Sequence, residues 1–67
     1  MKRQDLITIL QQFGCILLRH GKKHDIYQNP KSGASEPIPR HRDVNEHLAK
    51  HIINSLTRVK RGNDLHL

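Results

Sequence analysis

The stretch Cys15-Ile16-Leu17-Leu18-Arg19-His20-Gly21-Lys22-Lys23-His24-Asp25-Ile26-Tyr27-Gln28 decides the architecture. Cys15 to Arg19 is an apolar run lying between Gly14 and Gly21. It is too short for a helix and reads as a strand. His20-Gly21-Lys22-Lys23 then predicts a tight turn, with Gly21 supplying a positive φ. His24 to Gln28 returns as a second strand. Its apolar content is Ile26 and Tyr27, and because both are buriable, the sequence leaves open which of them faces the core.

Upstream, residues 3–13 predict a helix. Leu6, Ile9, Leu10 and Phe13 fall at i, i+3, i+4 and i+7, while Gln4, Thr8, Gln11 and Gln12 fill most of the other face. Gly14 is the expected stop, because glycine enters the left-handed region without steric cost. Downstream, Asn29 to Ser35 has loop composition. Pro37-Ile38-Pro39 is held extended by its prolines, which lack an N–H donor, so it is an edge strand at most. Arg40 to Asp43 is a basic connector. A helical period returns from Asn45 to Arg58 in Leu48, Ile52, Leu56 and Val59, with Ala49 and Ile53 beside them. Asn45 is the natural N-cap. Glu46 at the start, and Arg58 and Lys60 at the end, suit the helix dipole.

The order is thus α-β-β-β-α. It predicts an α+β domain over residues 1–60, with a three-stranded antiparallel sheet and both helices on one face. Residues 61–67 have no period and read as a flexible tail. This layout resembles the double-stranded-RNA-binding fold, an analogy that by itself assigns no function.

Composition narrows the function. The 67 residues carry 12 Lys+Arg against 6 Asp+Glu, a formal charge of +6, and the pI is about 10.1. Leu, Ile, Val and Phe make up 18 residues, more than the roughly 20% below which disorder is expected. A domain this short has a thin core, which argues against a large cleft for a bulky cofactor. The single cysteine, Cys15, excludes an intrachain disulfide and a thiolate metal cluster. A reducing cytoplasm therefore fits better than a secreted location. No apolar run approaches the roughly 18 residues that span a membrane, and the one after Met1-Lys2-Arg3 is too short for a signal peptide. The basic balance favours polyanionic partners.

Two dense segments can carry chemistry. In Arg19-His20-Gly21-Lys22-Lys23-His24, two imidazoles and three cations surround a glycine turn. Cleaving RNA without a metal needs a base for the 2′-OH, cations for the charge on the phosphorane and an acid for the leaving 5′ oxygen. Histidine suits the proton transfers, and lysine and arginine suit the phosphate oxygens. The plain alternative is a solvated basic turn. In Pro39-Arg40-His41-Arg42, the cations stand ahead of a helix N-terminus, a favourable phosphate seat; the alternative is a surface connector. His47 and His51 have i, i+4 spacing, but Leu48 stands where a zincin has its Glu, so they read as the polar flank of a helix and no metal site is expected. Cys15 and Tyr27 read as packing residues, although Tyr27 can also stack on a base. Asp25 either orients an imidazole or balances the lysines. Strand neighbours point to opposite faces, which favours the second role next to His24.

The chain resembles the HicA-type toxins, small ribonucleases of HicAB toxin–antitoxin systems. The resemblance covers residues 1 to about 59. It rests on the opening helix Lys2-Arg3-Gln4-Asp5-Leu6-Ile7 ending at Gly14, on Arg19-His20-Gly21-Lys22-Lys23-His24-Asp25-Ile26-Tyr27, and on Pro37-Ile38-Pro39-Arg40-His41 leading into the helix from Asn45 to Leu56. It implies a dsRBD-like fold and metal-independent cleavage of mRNA by one essential histidine after a glycine turn. His24 is the matching position; His20 precedes the glycine. The family often has a small polar residue directly after that glycine, where this chain has Lys22. The resemblance also implies a HicB-type antitoxin that covers the active site.

The expected function is therefore an mRNA interferase toxin without a small-molecule cofactor. His24 is its acid or base, Lys22 and Lys23 hold the scissile phosphate with Arg19 beside them, and Arg40 and Arg42 hold flanking phosphates. His20 and His41 are the remaining candidates for a second proton transfer. The alternative from another class is a non-catalytic RNA-binding module of the same fold, which predicts salt-sensitive binding without cleavage. A DNA-binding role ranks last, because strands separate the two helices.

Overall fold

Leu6 and Leu10, one turn apart, are the residues of the opening helix that the core takes in completely, and they fix which face turns inward. A computed structural model describes residues 1–58; Val59, Lys60 and the 61–67 segment read as a tail lie outside the described residues. Helix α1 spans Arg3–Gln12. It ends as expected, with Gly14 at φ +86° and its N–H donating to the Gln11 carbonyl at 3.0 Å. Phe13 departs from the stripe. The helix has already ended at Gln12, so Phe13 takes a cap conformation and stays 54% exposed.

Three strands follow: β1 (Ile16–His20), β2 (His24–Gln28) and β3 (Ser35–Pro39). They form an antiparallel sheet in the order β1-β2-β3. The first strand is thus displaced by one residue from the expected Cys15 to Arg19. Cys15 instead packs in the core ahead of β1. The prolines fit β3 because of their register. Asn29 N–H donates to the Ala34 carbonyl at 2.9 Å, so the bonded pairs on this side fall at every second residue, Tyr27 with Glu36 and Asp25 with Ile38. Pro37 and Pro39 stand opposite Ile26 and His24, at positions that need no N–H toward β2.

The register also resolves Ile26 against Tyr27. Asp25 and Tyr27 turn to the buried face, and Ile26 remains half-buried on the other. Helix α2 spans Glu46–Thr57 and packs on α1 and β3. Asn45 caps it: its Oδ1 accepts the His47 N–H at 2.8 Å and the Leu48 N–H at 3.4 Å. Ala49, Ile52 and Leu56 form its buried face, whereas Leu48 is 40% exposed. Ile38 and Val44 complete the centre of the core. Asn29, also buried, ties the β2–β3 loop to the end of α2. Its Nδ2 donates to the Leu56 carbonyl at 2.7 Å and its Oδ1 accepts the Lys31 N–H at 2.9 Å.

Candidate functional site

The β1–β2 turn is built by a close approach of backbone to backbone. Gly21 N–H donates to the His24 carbonyl at 2.7 Å. A Cβ on Gly21 would lie 2.9 Å from that same oxygen. The expectation that Gly21 supplies a positive φ is therefore corrected. Its φ is not in the left-handed region, and glycine is needed because a side chain has no room where the strands meet.

Asp25 is the fixed point beneath this turn. Cross-strand partners share a face, and His20 is the partner of Asp25. His20 Nδ1 lies 2.8 Å from Asp25 Oδ1. Since an ionised carboxylate only accepts, Nδ1 is the donor. Arg40 donates to the same oxygen from Nε at 3.1 Å and from Nη2 at 2.9 Å. Arg3 Nη2 donates to Asp25 Oδ2 at 2.6 Å, and Arg3 Nε donates to the Pro39 carbonyl at 2.8 Å. The Arg40 bond, followed by the His20 bond, lowers the Asp25 pKa to about 2 against the opposing effect of burial. The expectation that Asp25 merely balances the lysines is thus corrected. It holds two arginines and an imidazole, and that imidazole is His20, because His24 projects from the opposite face of β2.

The expected site residues separate into three groups. His24 shares the open face of the sheet with Ile26, and Arg19, the cross-strand partner of Ile26, stands on that face too. Lys22 and Lys23 form the exposed turn beside them. Among the described residues, no carboxylate pairs with Arg19, Lys22, Lys23 or His24. Arg40 forms a second group. Besides Asp25, its guanidinium donates to the Gly21 carbonyl at 2.6 Å and to the Lys22 carbonyl at 3.0 Å. It clamps the turn from the exposed start of the connector. Arg42 lies apart, over α1, where it lines a shallow cleft with Lys2, Gln4 and Gln11. His41 is exposed in the connector.

The other residues singled out from the sequence take packing or surface roles. Tyr27 is 8% exposed and belongs to the core. Burial raises the Cys15 pKa. His51 Nε2 lies 3.7 Å from Glu36 Oε1, and Glu36 Oε2 accepts the Ser55 hydroxyl at 2.6 Å. Arg3 is the residue that sequence reasoning missed. A signal was present: a cation in the first turn of a helix opposes the dipole, so its position asks for a tertiary partner.

Comparison with known proteins adds one match. Neither a curated protein nor a solved structure matches the chain. A family model described as the HicA toxin of bacterial toxin–antitoxin systems matches residues 3–57. That range runs from the first residue of α1 to the last of α2 and takes in the hairpin, the Asp25 centre and the connector. The chain therefore belongs to the HicA toxin family, and membership implies a partner antitoxin.

Proposed function

We propose that this toxin is a metal-independent endoribonuclease that cuts mRNA and so stops translation, with a HicB-type antitoxin as its counterpart. One observation carries the reading. His24 stands on an open sheet face beside Arg19, Lys22 and Lys23, with the nearby carboxylate of Asp25 bound on the other face. The surroundings of His24 are thus cationic, as a phosphodiester requires.

In this mechanism His24 takes the proton from a ribose 2′-OH, and the freed oxygen attacks the adjacent phosphorus. Lys22 and Lys23 neutralise charge on the phosphorane oxygens, with Arg19 at their side. The 5′ oxygen leaves with a proton taken from water, giving a 2′,3′-cyclic phosphate and a 5′-hydroxyl, and the hydroxide so formed takes the proton that His24 carries. Arg42 binds a flanking phosphate. Arg40 acts as a positioning residue, since its donors hold the turn carbonyls that set the backbone of Lys22.

The test is cleavage of a long single-stranded RNA in EDTA, with His24→Ala in parallel and the fold of each checked by circular dichroism. Wild type should cleave. His24→Ala should lose about 10²–10⁴-fold in rate, the usual contribution of general acid–base catalysis. Full activity in a folded His24→Ala protein overturns the assignment. Salt-sensitive RNA binding by both without cleavage would favour the non-catalytic binding module.

A further inference from the structure

The two edges of the sheet are built differently. On the β3 edge, Pro37 and Pro39 remove donors, and the charge of Glu36 stands just before them. These are devices that discourage another strand from pairing. Among the described residues, the β1 edge carries no proline or carboxylate beside Ile16, Leu17 and Leu18, which are 49%, 41% and 46% exposed; its one such device is a bulge. Every residue of β1 is exposed. Phe13, two residues before the segment that leads into it, is 54% exposed. The cause lies in the packing. Helix α2 sits on α1 and β3, and β1 leans chiefly on β2, so the apolar side chains of β1 stay nearly half exposed and its outer edge is unpaired among the described residues. A register shift between Leu17 and Arg19 bends the strand without adding charge or removing a donor.

We propose that the free edge of β1 is the docking site of the antitoxin, which adds a β-strand of apolar side chains flanked by carboxylates. Strand addition supplies main-chain hydrogen bonds, and pockets for alternate side chains supply selectivity. Charge argues for this occupant over a second copy of the chain. Each copy carries +6, so self-association brings like charges together. A strand along β1 meets Arg19 and His20 at one end and the Lys22-Lys23 turn just beyond, where carboxylates are attracted. If the proposed function holds, a strand ending there also inhibits, because it covers the turn and its carboxylates compete with phosphate for the lysines. The proposal concerns binding and stands apart from whether the chain cuts RNA.

The experiment measures amide hydrogen exchange of the whole chain, free and in complex with the antitoxin encoded beside it. It also compares the antitoxin affinity of wild type with that of the Leu17→Lys/Leu18→Lys variant. Slowed exchange across Ile16–His20 in the complex supports the proposal. So does an affinity loss of about 100-fold in the variant, the effect of removing a central interface patch. The exchange measurement uses wild type and does not depend on the variant folding. Three results overturn the proposal: unchanged exchange at β1 with protection elsewhere, wild-type affinity in a folded variant, or no complex at all. A free chain that dimerises with β1 protected overturns it as well and assigns the edge to a second copy.

Discussion

His20 Nδ1 donates to Asp25 Oδ1 across the end of the first hairpin, at 2.8 Å. Four residues later in the chain, the second imidazole, His24, has no partner among the described side chains. Both imidazoles are exposed, but one is tied to a carboxylate and the other is not. The alternation of strand faces makes the difference, since Asp25 pairs with His20 and turns away from its own neighbour.

The two histidines should therefore respond differently to removal. His20→Ala is expected to keep RNA cleavage within about tenfold of wild type, well short of the 10²–10⁴-fold that an acid–base group contributes. His24→Ala should lose that larger factor. Equal losses in both variants, measured as initial rates on one RNA, would mean that both imidazoles act on the phosphodiester.

Asp25 predicts an acid-sensitive fold. Its pKa is about 2 in the folded chain, below the roughly 3.9 of an unfolded aspartate. The unfolded state then binds more protons in this interval, so stability is fully present above about pH 4 and is lost as pH falls toward 2. Glu46 is lowered too, by its bond to the Met1 ammonium, and acts in the same direction. Urea midpoints between pH 2 and pH 5 should rise with pH. Asp25→Asn should flatten that rise, and an unchanged slope in this variant would remove Asp25 as its source.

Gly21 and Gly14 separate strain from function. Gly14→Ala meets no neighbour within 4 Å but must hold φ near +86°, at about 1–2 kcal/mol for an L-residue in the left-handed region. Gly21→Ala meets the His24 carbonyl at 2.9 Å, and a backbone shift there costs about 1–3 kcal/mol. Both should lower the denaturation midpoint. Only Gly21→Ala should also reduce cleavage, because the group that must move is the backbone of His24.

Core and cap on α2 should differ in scale. Ile52 is fully buried, so Ile52→Ala should cost about 2–5 kcal/mol. A chain of this length has only about 3–10 kcal/mol of stability to lose. Asn45→Ala removes the two cap bonds at the exposed start of the helix and should cost about 1 kcal/mol. Urea titration of both variants at pH 7 tests the ranking.

Local rules were enough to read the element order, the stop at Gly14, the cap at Asn45 and the placement of the prolines at an edge. Each depends on one residue's conformational preference or on a short-range period, both of which survive without knowledge of the rest of the chain. The hairpin and its cluster of cations and imidazoles were legible for the same reason, as neighbours in sequence. The packing role of Tyr27 was legible too, but the register of β2 was not, because Ile26 and Tyr27 differ only in which face meets the helices.

Long-range placement decided the remainder. Arg3, Asp25 and Arg40 are 22 and 15 residues apart in sequence, and no periodicity connects them. They meet because α1 begins over the start of β2 and because the chain leaving β3 turns back toward the hairpin. The apolar composition of β1 says strand, and by the usual rule it also says core. It is exposed because the two helices pack against each other and over β3, which leaves too little helical surface to cover a third strand. Sequence by itself determined which segments are helix, turn and strand, since those depend on local backbone preference. Only the tertiary structure decided which histidine is bound and which is free, and which sheet edge is left open, since both depend on what packs against each face.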